Sequence, residues 1–404
     1  MKGMTNIMTE RDERAILYDD TMQLGPYPDH LLKRVDSPTV AMPGPIERRS
    51  QRDNAGTHVR RGDYGQEIAD RAAGFFFRYP LGSVIGDVRT RMTKASESAL
   101  SGKFTTFDGT PLPKLDIPSD PKALSRNLKA LAYFMGADAV GVCEVPPHSY
   151  FIEDNEGNPN ERKWKYAVVF LKRNDPATTW ATNGRDWIVD ATAQRTYLFT
   201  NVISETLTSY IRMLGFEATN NSLHNFSTLM APLMIAAGLG EGSRIGIPLN
   251  PFFGADFKVG SVLTDMPLLS DKPIDFGLQD YCKRCGICAR FCVGKALSHG
   301  EKEIYNGYEK YIVDADKCFV STAEMDGGSN CFVCIMMCPW TRPNTLPGDF
   351  KDWDGSVDAL IASVDARADE LRRNDFKRND APGSKWWFGV ADTPEFGSDE
   401  FSID

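Results

Sequence analysis

The chain has 404 residues, 42% of them hydrophobic and 25% charged, with a formal net charge of −9. That length holds one large domain or two ordinary ones with ample chain for a buried core. The negative balance argues against nucleic acid as a main partner. No apolar run reaches the roughly 18 residues of a membrane span, and the opening "MKGMTNIMTERDERAILYDD" is too polar for a secretory signal. The twin arginines Arg48-Arg49 and Arg60-Arg61 have no apolar segment close behind them, so the chain is expected to stay in the cytoplasm.

Residues 1–118 are polar and proline-rich with short apolar pieces such as "AAGFFFRYPLGSVIG", the pattern of a wrapping segment rather than an independent core. "DPKALSRNLKALAYFMG" then reads as an amphipathic helix with an acidic start and a glycine stop. "ADAVGVCEV" and "KYAVVFLK" read as buried strands, which makes Cys143 a core residue. In "DATAQRTYLFTNVISETLTSYIRMLG" Ile203, Leu207, Tyr210/Ile211 and Leu214 recur at helical spacing and Gly215 ends the helix. A glycine-rich stretch follows, "LMAPLMIAAGLGEGSRIGIPLNPFFGADFKVGSVLT", whose glycines let backbone approach something bulky. It carries neither the GxGxxG of a dinucleotide site nor a phosphate loop. The expected fold is α/β or α+β, with a core over 119–275, a cysteine segment over 276–346, and an acidic tail over 347–404 packing on the core.

Eight of the nine cysteines lie between Cys282 and Cys338. A reducing compartment makes clustered thiols metal ligands before disulfides. The first group is Cys282-x2-Cys285-x2-Cys288-x3-Cys292; the second is Cys318-x12-Cys331-x2-Cys334-x3-Cys338-Pro339. Steps of two wrap three thiolates around one face of a cubane, and the x3 step carries the fourth toward the neighbouring cluster. The spacing therefore predicts two [4Fe-4S] clusters in a bacterial ferredoxin-like arrangement. One is held by Cys282, Cys285, Cys288 and Cys338, and the other by Cys318, Cys331, Cys334 and Cys292. Paired zinc sites are the competing reading, since CxxC also suits zinc. Val293 stands where a proline is expected, and "FVSTAEMDGGSN" reads as an inserted loop that could sit near another cofactor.

The blocks "AAGLGEGSRIGIPLNPFFGADFKVG", "VLTDMPLLSDKPIDFG", the two cysteine groups and "CPWTRP", with "GADAVGVCEV" ahead of them, resemble the cobalamin-dependent reductive dehalogenases, over roughly 120–346. The resemblance implies a nitroreductase-like cobalamin-binding core followed by the two-cluster domain, with cobalamin bound base-off. Consistent with that, the five histidines include no DxHxxG, and His224 and His299 read as ordinary polar residues. The resemblance further implies corrinoid contacts at Gly238, Leu239, Gly240, Arg244, Gly246 and Pro251. It assigns the proton donor to Tyr197, its basic partner to Lys258, and another active-site position to Asn225. An ammonium beside a phenol of ordinary pKa near 10 stabilises phenolate, and Lys258 could also hold a phenolate substrate.

The implied activity is reductive removal of halide from an organohalide, with a halogenated phenol as the first expected substrate. Lysine at 258 and the missing export signal resemble the cytoplasmic, non-respiratory branch. Electrons would come from a separate ferredoxin or flavoprotein reductase through a charge-guided contact. Two alternatives stand beside it: an epoxyqueuosine reductase-like enzyme acting on tRNA, and a non-catalytic iron–sulfur electron-transfer subunit. Trp386 and Trp387 near the end either line a substrate channel or cap the core.

Overall fold

The computed structural model describes residues 23–78, 84–92, 119–181, 188–221, 226–325 and 330–373. Asn225, His224, Trp386 and Trp387 lie outside the described residues.

The helix at Pro121–Phe134 (α1) starts where the sequence reading puts it. The Asp120 carboxylate accepts from the backbone N–H groups of Lys122 and Ala123, Pro121 occupies the first turn, and Leu124, Leu128 and Ala132 form the buried stripe. Strands β1 (Ala139–Glu144) and β2 (Tyr166–Arg173) follow. The long helix α2 (Ile188–Met213) comes next, then β3 (Ala218–Asn221), helix α3 (Met230–Ala236) and β4 (Phe257–Thr264). The strands form one sheet in the order β1-β2-β4-β3, with every neighbouring pair antiparallel. Helices around an antiparallel sheet make the core α+β.

Alternation along the strands explains why both sheet faces are apolar. Val140, Val142, Val168, Phe170 and Val262 face α1 and α2, packing on Leu128, Ile203, Leu207 and Ile211. Ala139, Cys143, Ala167, Val169, Leu171 and Leu263 face the other way, toward Leu233 and Met234 of α3 and onward to Cys282, Cys288 and Cys338. Cys143 is a core residue whose thiol is aimed at the Leu233 carbonyl. Two glycines permit the close packing: a Cβ at Gly141 would collide with the Ala237 carbonyl, and one at Gly260 would meet the ring of Phe170 and Cβ of Thr200.

The cysteine segment is built from helices α4 (Leu278–Cys285) and α5 (Ile287–Phe291), a hairpin of β5 (Glu303–Tyr305) and β6 (Tyr308–Lys310), and helices α6 (Ala315–Glu324) and α7 (Val333–Met336). The stretch expected as an inserted loop after Cys318 begins as helix α6. Asp314 caps it by accepting from the Lys317 backbone N–H, and Asp316 lies in the first turn. Arg173, at the end of β2, donates to the carbonyls of Arg342 (2.7 Å) and Thr345, tying the core to the chain after Cys338. A last helix, α8 (Val357–Arg373), lays Ala368 and Leu371 on Ile287, Val333, Met336 and Met337, and its Asp365 pairs in a fork with Arg284.

The amino-terminal segment crosses the core through polar contacts. Arg34 donates to the Gly238 and Lys272 carbonyls, and Tyr133 donates to Asp29 at 3.0 Å while accepting from the Val140 N–H. Burial pushes the Asp29 carboxyl up to about 6, against the opposing pull of Arg34 and the Tyr133 hydrogen bond. A raised carboxyl pKa stabilises the fold in its protonated form. That contribution is complete below the ordinary value of 3.8 and is lost as the pH rises through about 6. Asp29→Asn should therefore flatten the difference in denaturation midpoint between pH 4 and pH 7. A variant with the parent's pH dependence would show that Asp29 does not set it.

Candidate functional site

Tyr197 projects from α2 and Lys258 from β4 on the sheet face that α2 covers. The Lys258 ammonium lies 4.8 Å from the centre of the Tyr197 ring and 4.8 Å from that of Phe332. Both Tyr197 and Lys258 are half-buried, so a reactant can reach them. Phe332 is buried, stands between Cys331 and Cys334, and holds a left-handed backbone with φ 59°. A non-glycine residue pays for that conformation only where its surroundings hold it, and here the ring is wedged under Lys258. The aromatic pair thus clamps one cation between the core and the cysteine segment.

A second cation arrives from a part of the chain whose sequence carried no such signal. Arg89, in the helical segment 84–92, is buried with its guanidinium carbon 5.9 Å from the Tyr197 ring. Burial pulls its pKa down, and the nearby Tyr197 and Asp190 act the other way. Asp190, one helical face with Tyr197, accepts from the Asn330 amide at 2.8 Å. The far end of the segment between Cys318 and Cys331 therefore meets the start of α2, two turns before the tyrosine.

The clustered thiols lie among one another's electrostatic neighbours. Burial pushes Cys338 well up, followed by the influence of Cys288, Cys282 and Cys285. It pushes Cys334 well up, followed by Cys331, Cys318, Cys288 and Cys292. Cys318 is raised by burial and then by Cys292. Cys288 is a neighbour of both Cys338 and Cys334. Among the described residues no three His, Cys, Asp or Glu side chains converge tightly enough for one metal ion. His299 is exposed.

The glycine-rich block is occupied by protein. A Cβ at Gly238 would strike the Arg34 guanidinium and the Lys272 carbonyl, and one at Gly240 the Leu249 carbonyl and the Met234 side chain. Leu239 and Pro251 are buried, and Gly246 is exposed beside Val313. Arg244 turns toward Cys282, donating twice to its carbonyl. The observation that suits an amide-rimmed corrinoid lies elsewhere. Gln194, one turn before Tyr197, buries a side-chain oxygen that has no hydrogen-bond partner among the described residues, and an orphaned acceptor needs a donor.

A helix-flanked antiparallel core presents a tyrosine–lysine pair to a segment of eight thiols, seven of them buried or half-buried and Cys318 exposed. Comparison with known proteins shows what that framework is similar to. Tetrachloroethene reductive dehalogenase from Sulfurospirillum multivorans is 35% identical over 154 residues, 36% of this chain and 30% of that protein. The enzyme of the same name from Desulfitobacterium hafniense is 29% identical over 247 residues, 58% of this chain and 42% of that protein. The solved structure of the catabolic reductive dehalogenase NpRdhA, in complex with 3-bromo-4-hydroxybenzoic acid, superposes with a TM-score of 0.75 at 33% identity, covering 88% of this chain and 50% of that one. No family model matches the chain. In sequence and fold the chain is similar to the reductive dehalogenases, and it spans half or less of the length of these relatives.

Proposed function

We propose that the protein is an oxidoreductase that removes halide from an organohalide, a halogenated phenol or related aromatic, with Tyr197 as proton donor. The observation that carries this reading is the Lys258 ammonium held 4.8 Å from both the Tyr197 ring and Phe332 of the thiol segment. NpRdhA, solved with a bromo-hydroxybenzoic acid, supports the substrate class. When bound, a corrinoid would supply the metal centre that engages the halogenated carbon, and two [4Fe-4S] clusters would supply its electrons. Cys282, Cys285, Cys288 and Cys338 would hold one cluster and Cys292, Cys318, Cys331 and Cys334 the other, with Gln194 at the corrinoid's edge.

The side chains have separable tasks. The Tyr197 hydroxyl gives its proton to the carbon that loses halide. Lys258 places positive charge beside the phenolate left on Tyr197 and beside a phenolate on the substrate. Phe332 fixes the lysine's position. Electrons enter from a separate ferredoxin or flavoprotein reductase.

Anaerobic reconstitution with iron, sulfide and cobalamin, followed by halide measurement on chlorinated and brominated phenols, benzoates and alkenes, tests the reading. About eight irons and one corrinoid per chain are expected, with halide released from a phenol. Iron uptake without corrinoid uptake would overturn the dehalogenase assignment.

A further inference from the structure

Arg244 is one of the most buried charges in the molecule, only 4% exposed. Its guanidinium spends its donors on carbonyls. Nε and Nη2 give to Cys282 O at 3.3 and 3.0 Å, and Nη1 gives to Ser298 O and Gly300 O, each at 2.9 Å. Its carbon sits 3.8 Å from the centre of the buried Tyr311 ring. Cys282 lies in the last turns of α4, where carbonyls lose their helical partners, so the arginine caps that helix end as a cation should.

No carboxylate lies within ion-pair distance of Arg244 among the described residues. The buried Glu241 nearby is engaged by Thr39, Gln279 and the backbone N–H groups of Phe276 and Leu278 instead. An arginine does not deprotonate to escape burial, and a buried charge without a counter-charge is costly. The neighbour able to supply negative charge is the thiol group to which Cys282 belongs. Once deprotonated on iron, four thiolates make the assembly anionic.

We propose that Arg244 is a positioning residue that locks the Cys282 turn to the core and, as the buried counter-charge, sets the reduction potential of the cluster on Cys282, Cys285, Cys288 and Cys338. This rests on the two-cluster reading above. Adding one electron from the ferredoxin or flavoprotein donor adds one negative charge to the cluster, and a fixed cation favours that reduced form. Losing the cation should move the potential down.

The test is an EPR-monitored redox titration of the anaerobically reconstituted chain and of Arg244→Gln and Arg244→Lys. At the parent's midpoint, Arg244→Gln should show a reduced-to-oxidised ratio at least tenfold lower for this cluster, a shift of about 59 mV or more for one electron. The Cys292 cluster should titrate as in the parent. Arg244→Lys, which keeps the charge but not the fork, should recover most of the potential. Full iron with unmoved potentials in both variants would overturn the proposal and leave the cluster reading intact. A parent that takes up no iron would instead defeat the cluster reading itself. Where Arg244→Gln fails to hold iron, Arg244→Lys decides: a potential near the parent's with weakened helix capping, seen as a lower Tm, supports the role. A potential as low as that of free, unshielded cluster overturns it.

Discussion

Replacing Tyr197 by phenylalanine should leave the protein folded and loaded with iron and corrinoid, while halide release falls by roughly 10²- to 10⁴-fold. The change removes one oxygen and nothing else. The ring stays under the Lys258 ammonium, so the contact between lysine, tyrosine and Phe332 survives. The residue is half-buried on α2, so losing its hydroxyl opens no cavity in the core. A loss confined to kcat with KM nearly constant would mark an interaction made only in the transition state. Lys258→Met should lower turnover too, with KM for a halophenol rising more than KM for a neutral haloalkene, because the cation also meets the substrate's phenolate. Anaerobic halide release measured by ion chromatography reads both. Near-normal turnover by Tyr197→Phe would remove the tyrosine from the mechanism.

Sequence and structure agree where the signal is local. The Asp120-Pro121 start of α1 is a cap any reader of the chain can see, and Ile203, Leu207 and Ile211 announce the buried side of α2 by their period. The assignment of the thiols to two groups is a reading of their spacing, because a short loop admits few ways to gather its ligands. Strand order does not follow: β2 pairs with β4 across the intervening chain 174–256, a partnership no local pattern encodes. Glycine was ambiguous for a physical reason. Lack of a side chain shows that something comes close, without showing whether it is a ligand or the protein's own backbone. At Gly238 and Gly240 it is Arg34 and Leu249. Arg89 and Phe332 were illegible because their meaning lies in what long-range packing sets beside them.

The other large effect expected is on assembly, at Gly254. This residue has φ 63°, and a Cβ there would lie 2.6 Å from both N and Oγ1 of Thr341 and 2.7 Å from the Trp340 carbonyl carbon. Gly254 and Asn250 also exchange backbone hydrogen bonds at 2.9 and 3.0 Å, so the turn cannot swing aside without breaking them. On the other side, the Thr341 N–H donates to the Cys338 carbonyl at 2.9 Å, and Trp340 is packed edge-on against Phe276 and Tyr281. A methyl at 254 therefore pushes directly on the chain that carries Cys338. The left-handed backbone costs about 1–2 kcal/mol for a residue with a Cβ, and forcing an atom into a packed core adds about 1–3 kcal/mol. Gly254→Ala should lower Tm by on the order of 10 °C, at roughly 2–4 °C per kcal/mol for a domain of this class. It should also lose iron from the Cys338 cluster first, leaving about four irons of eight. Gly62→Ala supplies the control, because Gly62 has φ 77° with nothing within 4 Å of its would-be Cβ. It should pay only the backbone cost and keep its iron. Equal losses in the two variants would mean that the Gly254–Thr341 contact does not hold the cysteine segment to the core. A larger loss at 254, with iron falling alongside Tm, would identify that contact as the joint between them.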